Sequence, residues 1–186
     1  MRKIILIRHA RVDVLNDAPF NSDQLKAWVE QYDLADIDPT NLPPQSLIEE
    51  VANANIVLCS TLRRTRLSAE VLGLKVEEED ALFNEADVPT VKIPWVKLRP
   101  KSWLVILRLL LLFGLGKKDS GLNRAKADAQ KATERLIALS KEHKLVVLVG
   151  HGGKNWLMKN IFLQKGWQLQ GKTSTQNWGT MTLTTV

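Results

Sequence analysis

Leu145-Val146-Val147-Leu148-Val149-Gly150-His151-Gly152-Gly153 is the stretch on which the reading of the fold turns. Five consecutive apolar residues, three of them valine, describe a strand buried on both faces, as strands of parallel sheets are. A glycine ends the run and a histidine follows it. The same grammar appears twice upstream. Lys3 to Ile7 is a short isoleucine-rich strand followed by Arg8-His9, and Asn55 to Cys59 is a buried strand followed by Ser60. Helical segments lie between them. Ser22-Asp23-Gln24 caps a helix reaching about Tyr32, Ser46 to Ala54 forms another, and Leu62 to Leu72 forms a third, ending at Gly73 as its C-cap. Gly121 to His143 is a long amphipathic helix with Ala125, Ala129, Ala132, Leu136 and Leu139 on its apolar side. An apolar helix follows around Trp156 to Phe162. Lys75 to Glu78 reads as a short strand, Asp36 to Pro44 as loop, and the alternating Thr180 to Val186 as a final edge strand. Strands alternating with helices define an α/β domain. Ligands of such sheets bind beyond the carboxyl ends of the strands. Arg8-His9, Ser60 and Gly150-His151 each follow a strand directly, so they are expected to converge on one edge.

The bulk properties narrow the setting. At 186 residues the chain suits a single domain with a sizeable core. Cys59 is the lone cysteine, which excludes an internal disulfide and a cysteine-based zinc cluster. Its place in Ile56-Val57-Leu58-Cys59 makes it a buried structural thiol. The apolar stretch after Met1-Arg2-Lys3 is too short for a secretory signal, so the expected location is the cytoplasm. The net charge of +6 is local. Lys92, Lys97, Arg99, Lys101, Arg108, Lys117 and Lys118 fall between residues 88 and 118 with no acid among them, so the rest of the chain sums to 6 − 7 = −1.

Within that basic segment, Trp103 to Leu115 is apolar apart from Arg108. It is shorter than the roughly 20 residues a membrane-spanning helix needs. The plainest reading is a cap helix packed on the core or forming a homodimer interface. Two others stay open: an apolar wall for a substrate, and peripheral attachment to an anionic membrane, which flanking cations with Trp95 and Trp103 suit. Nucleic acid is not expected, because no known reader motif accompanies the basic residues.

The residues after the strands are those that phosphoryl transfer through histidine requires. A neutral imidazole nitrogen attacks phosphorus while the other nitrogen is held by an acceptor. Arginine forks grip the phosphate oxygens, and an acid protonates the leaving oxygen. Arg8-His9 places a nucleophile beside a clamp. Arg63, Arg64 and Arg66 open a helix, where backbone donors add to the field. His151 lies among glycines that permit close approach. Glu85 and Asp87 supply carboxyl groups. Each element alone has an ordinary explanation as surface polarity or a turn. Their joint occurrence, each cation or histidine following a strand, carries the functional reading.

These residues resemble the histidine phosphatase superfamily, the phosphoglycerate mutase-like proteins. Ile5-Leu6-Ile7-Arg8-His9-Ala10 is similar to the opening strand and its R-H-G signature. Cys59-Ser60-Thr61-Leu62-Arg63-Arg64-Thr65-Arg66-Leu67-Ser68-Ala69 resembles the S-P-L-x-R-x-x-x-T-A motif, which makes Arg64 the second clamp. Val147 to Gly153 resembles the strand carrying the second histidine, and Asn177 is similar to a frequent asparagine before the last strand. The resemblance runs from Lys3 to Val186. It implies a three-layer α/β/α sandwich with a mostly parallel central sheet, as one domain with a cap insertion at about 86–120. It implies phosphomonoester hydrolysis through a phosphohistidine on His9. Arg8, Arg64 and His151 would bind phosphate, with His151 also catalytic, and Glu85 would be the proton donor with Asp87 as runner-up. No metal or organic cofactor is implied. Departures occur at Ala10 for glycine, Val12 and Leu15 where threonine and asparagine help bind phosphate, Thr61 for proline and Ser68 for threonine. The chain is short for a mutase, so a phosphatase is expected ahead of a phosphomutase or a phospho-ligand-binding module without turnover.

Overall fold

The computed structural model describes residues 1–13, 17–86, 92–112 and 121–185, with backbone alone at 101 and 108–112. Its centre is a six-stranded sheet in the order β3-β2-β4-β1-β6-β5. β1 (Arg2–Arg8), β2 (Ile56–Cys59), β3 (Glu78–Glu79) and β4 (Leu145–Gly150) run parallel, while β6 (Thr180–Thr185) is antiparallel to β1 and to β5 (Gln168–Gln170).

The side-chain period of two divides the strands between two cores. Ile4, Leu6, Leu58, Val146 and Leu148 face one cluster, which holds Ala129, Ala132 and Leu136 of α5 (Gly121–Glu142) and Met158 and Phe162 of α6 (Gly152–Gln164). Ile5, Ile7, Val57, Cys59, Val147 and Val149 face the other. That cluster holds Leu47 and Val51 of α2 (Gln45–Val51) and Ala69 of α3 (Arg63–Val71). Helices therefore cover both faces, which is why β1 and β4 are continuous apolar runs and not alternating ones.

Three expectations shift in detail. The third strand is shorter and later than Lys75 to Glu78. The helix after His151 begins at once, at Gly152. Thr180 to Thr185 is an interior strand, not an edge, because β5 pairs beyond it. Gln168-Leu169-Gln170 is too short and polar to signal a strand in the sequence. It is held by register with Thr182, Leu183 and Thr184.

A third cluster joins α1 (Ser22–Leu34) to the segment from residue 92 to α4 (Pro100–Leu112). Trp103 and Leu107 are buried against Phe20, Leu25 and Trp28, and the Trp103 indole N–H donates to the Phe20 carbonyl at 2.8 Å. The apolar run expected at Trp103 is thus helical and packs one face on the protein. Val105 and Ile106 on the same helix remain exposed. Residues 113–115 lie outside the described residues. Among those described, no helix is long and apolar enough to cross a membrane.

Cys59 is fully buried at the end of β2, and its thiol is pushed up to about 11 by burial, with the Glu79 charge adding to the effect. The raised value means the neutral thiol is favoured on folding. That contribution is intact below pH 9 and is lost as pH rises through about 11. Because the thiolate is the reactive form, native protein should resist iodoacetamide at pH 8 and label only in denaturant. Mass spectrometry reads this; equal labelling of native and denatured protein would contradict the buried placement.

Candidate active site at the carboxyl edge of the sheet

Register builds the site. Arg8 lies opposite Gly150 across the β1–β4 pair, and Cys59 lies opposite Val149. His9, Ser60 and His151 therefore leave three adjacent strands at one level. The His9 and His151 rings meet edge to face with centroids 5.2 Å apart, and both are almost fully buried.

The hydrogen bonds fix the chemistry of each ring. His9 Nδ1 lies 2.6 Å from the Ala10 carbonyl oxygen. A carbonyl only accepts, so Nδ1 carries the hydrogen, and in the neutral ring Nε2 keeps its lone pair. His151 Nε2 lies 2.8 Å from Ser60 Oγ, which is 2.9 Å from Thr65 Oγ1. Thr65 Oγ1 faces the carbonyls of Ser60 and Leu62 at 2.9 and 2.7 Å, and its single hydrogen goes to one of them. Ser60 then donates to Thr65 and accepts from His151 Nε2–H. Protonation of His151 at Nδ1 would make it a further donor.

Two arginines are tied to the segments that carry the histidines. Arg8 Nη1 donates to the Thr175 carbonyl at 2.6 Å. The arm of Arg8 passes so close to Gly152 that a Cβ there would sit 3.2 Å from Arg8 Cδ and 3.3 Å from the Thr175 oxygen. Arg64, on the first turn of α3, is 4% exposed and donates through Nη1 to Asp33 Oδ1 at 2.7 Å. Arg63 and Arg66 point elsewhere, to Asp36 and Glu79 on the surface. Of these three arginines, Arg64 is the buried one.

Glu85 reaches the site from the loop after the 3-10 turn Ala81–Phe83. Its two oxygens accept the N–H groups of Gly153 and Lys154 at 3.3 and 3.0 Å, at the start of α6 beside His151. Lys154 itself is buried, and its ammonium is pushed below its ordinary range by burial, opposed by the charges of Asp128 and Glu85. Asp87, Leu15 and Asn16 lie outside the described residues.

Further residues surround the histidines; Asn177, Ser68 and Val12 were singled out in the sequence, and Trp178 carried no local signal. Asn177 Nδ2 donates to the His9 carbonyl at 3.0 Å. Ser68 Oγ accepts from the Ala10 N–H at 2.9 Å and donates to the Arg64 carbonyl at 2.6 Å, tying the segment after β1 to α3. Trp178 holds a left-handed backbone, φ 60°, while its amide donates to the Arg8 carbonyl and its indole to the Asn41 carbonyl. A bulky residue in that conformation is strained, and these two bonds hold it there. Val12 is buried in a β-bridge with Ile37, so it packs where a polar phosphate contact was the alternative.

Solved structures share this arrangement of elements. Phosphoserine phosphatase from Entamoeba histolytica, in complex with 3-phosphoglyceric acid, matches with a TM-score of 0.56 at 17% identity, over 98% of this chain and 90% of that one. A mycobacterial glucosyl-3-phosphoglycerate phosphatase with bound VO3 matches with a TM-score of 0.58 at 17% identity, over 99% and 91%. A Mycobacterium tuberculosis open reading frame product matches with a TM-score of 0.59 at 16% identity, over 88% and 80%. The fold is phosphoglycerate mutase-like. These neighbours are histidine phosphatase superfamily members, and at such low identity the likeness is one of fold. No protein-family model matches the chain, and no curated protein matches it in sequence.

Within this phosphoglycerate mutase-like fold, Gly153 decides where the carboxylate sits. A Cβ at Gly153 would lie 2.9 Å from Glu85 Oε1, the far end of a flexible side chain. Gly153→Ala should therefore change stability by no more than about 1 kcal/mol, since the carboxylate yields and alanine favours helix. The carboxylate should leave the two amides. A crystal structure of the variant in which Glu85 still accepts from Lys154 N would refute this.

Proposed function

We propose that the protein is a phosphomonoester hydrolase that works through a phosphohistidine on His9. One observation carries this reading: the His9 Nδ1 hydrogen is committed to the Ala10 carbonyl, so in the neutral ring the lone pair sits on Nε2, in a buried ring that meets His151 edge to face. Arg8, Arg64 and protonated His151 bind the phosphate oxygens and offset the charge that builds up on them. His9 Nε2 attacks phosphorus as the ester P–O bond breaks, and Glu85 gives its proton to the departing oxygen. Water then attacks the phosphohistidine, its proton passes to the Glu85 carboxylate, and the P–N bond breaks to release phosphate. Every step is performed by side chains, so a metal-independent enzyme of the histidine acid type fits. The phosphatases sharing this fold support the assignment at the level of architecture. The substrate is a phosphorylated compound, and a reducing compartment such as the cytoplasm suits the unpaired Cys59.

Hydrolysis of p-nitrophenyl phosphate tests the reading. Wild type should turn it over, vanadate should inhibit, and quenched enzyme should carry base-stable, acid-labile phosphate. His9→Ala should abolish both turnover and labelling, and Glu85→Gln should slow turnover roughly 10²–10⁴-fold. Phosphate binding without turnover across a broad panel would instead mark a phospho-ligand-binding module. Transfer between hydroxyls of one substrate would mark a phosphomutase.

A specific observation also supports contact with an anionic membrane. Trp95 is 80% and Val105 55% exposed, and Lys92, Lys97 and Arg99 are exposed in the same segment. No acid falls between residues 88 and 118. Exposed apolar groups among cations, of which Arg99 alone among these three faces a described carboxylate, Asp17 at 3.9 Å, suit the headgroup region of acidic lipids. The protein should co-sediment with vesicles containing phosphatidylglycerol at low salt and less so at high salt. Neutral vesicles, and a Trp95→Ala/Val105→Asp variant, should show little binding. Equal binding to neutral vesicles, or self-association in sedimentation velocity with no vesicle binding, would assign the surface otherwise.

A further inference from the structure

A guanidinium as deeply buried as that of Arg64 has to be compensated, because an isolated charge out of water is strongly disfavoured. The compensation comes from the end of α1, outside the three motifs that follow the strands. Asp33 Oδ1 accepts from Arg64 Nη1 at 2.7 Å, and the Tyr32 ring lies beneath the guanidinium, 4.9 Å from Cζ. One contact sets the direction of the group and the other sets its plane. Arg64 Nε is buried and meets no hydrogen-bond acceptor among the described residues. Nη1 lies away from the Nε–Nη2 edge, the side on which a guanidinium grips two oxygens at once. The anchored nitrogen and the waiting edge are therefore different.

The anchor is not a chance surface contact. Tyr32 stacks on Trp28 at 5.1 Å between ring centroids, and Trp28 stacks on Phe20 at 5.9 Å. Phe20 and Trp28 share their cluster with Trp103 and Leu107 of α4. An aromatic stack thus runs from Phe20 to the ring beneath the clamp, and Trp103 of α4 joins its far end by donating to the Phe20 carbonyl. The pairs made by Arg63 with Asp36 and by Arg66 with Glu79 have side chains 38% to 64% exposed, and lead nowhere.

We propose that Asp33 and Tyr32 are positioning residues that lock the Arg64 guanidinium with its Nε edge turned to receive a phosphate oxygen. This deepens the phosphatase reading above and rests on it. Asp33 acts through Arg64 and does not touch the phosphate. A rival role would have Asp33 compete with phosphate for Arg64. The two differ in sign: loss of an anchor weakens oxyanion binding, whereas loss of a competitor strengthens it.

The experiment compares wild type, Asp33→Ala, Asp33→Asn, Asp33→Glu and Tyr32→Leu, with Asp36→Asn as the neighbouring-charge control. The readouts are the orthovanadate inhibition constant, kcat and KM for p-nitrophenyl phosphate, and the thermal midpoint. A misdirected clamp should lower kcat/KM roughly 10²-fold in Asp33→Ala and weaken vanadate in step, through both KM and kcat. Asp33→Glu should recover part of the loss, Tyr32→Leu should show a smaller loss of the same kind, and Asp36→Asn should match wild type. Vanadate bound as tightly or more tightly by Asp33→Ala overturns the proposal, as does a lowered midpoint with unchanged vanadate affinity. If wild type itself neither hydrolyses the ester nor binds vanadate, the pocket reading falls and this inference with it. That outcome is distinct from an active wild type whose Asp33 variants are indifferent.

Discussion

Parallel pairing of β1 with β4 sets Arg8 level with Gly150, and the geometry of the site descends from that register. A slip of one residue would turn Ile4 and Leu6 to the face that Ile5 and Ile7 now occupy. Both faces are buried, so both cores would have to repack. The same slip would move His9 past His151. The register is thus enforced by apolar packing on two sides, far from any polar group of the site. β2 on the far side of β4 adds Ser60 at the same height. Because β1 and β2 are separated by β4, the connections leave a crevice at the ends of the strands, where ligands of α/β sheets bind.

Polar groups gathered in that crevice are mutually supporting. His151 is oriented by Ser60, Ser60 by Thr65, and Thr65 by backbone carbonyls of its own turn. Ser68 connects Ala10 to Arg64. Asn177 and Trp178 reach back to His9 and Arg8 from the turn before β6. Hydrogen bonds in such a dry setting are strong when complete and costly when broken. The site is therefore rigid for the same reason that its residues tolerate burial. The strained backbone at Trp178 belongs to this network, since its two hydrogen bonds hold the turn against β1 and the loop at Asn41.

Much of this was legible in the sequence, and the rest was hidden for physical reasons. Strands buried on both faces announce themselves as uninterrupted apolar runs, so β1, β2 and β4 and the residues that follow them could be read directly. Arg64 was separable from Arg63 and Arg66 only through motif spacing, and it is the buried one of the three. β5 was invisible because its three residues owe their conformation to β6. Tyr32, Asp33, Thr175 and Trp178 carry no local signature. Their roles depend on contacts between distant positions, 31 apart for Asp33 and Arg64 and 167 apart for Arg8 and Thr175. Periodicity reports which face a residue takes, not which distant side chain it will meet.

Identities of 16–17% go with a shared fold, so the packing is read from this chain's own residues. Gly152 and Gly153 are small where Arg8 and Glu85 cross the start of α6, since a side chain at either would meet Arg8 or Glu85. Outside the sheet, on the side of Arg64, helices do the packing. There α1 and α4 build an aromatic cluster that ends on Arg64 and carries Val105 and Ile106 to the surface. Stacked rings convey position well because interiors are close-packed and do not deform smoothly. In this fold the register of the sheet sets the two histidines level, while Asp33 and Tyr32 of α1 hold the Arg64 guanidinium from outside the sheet.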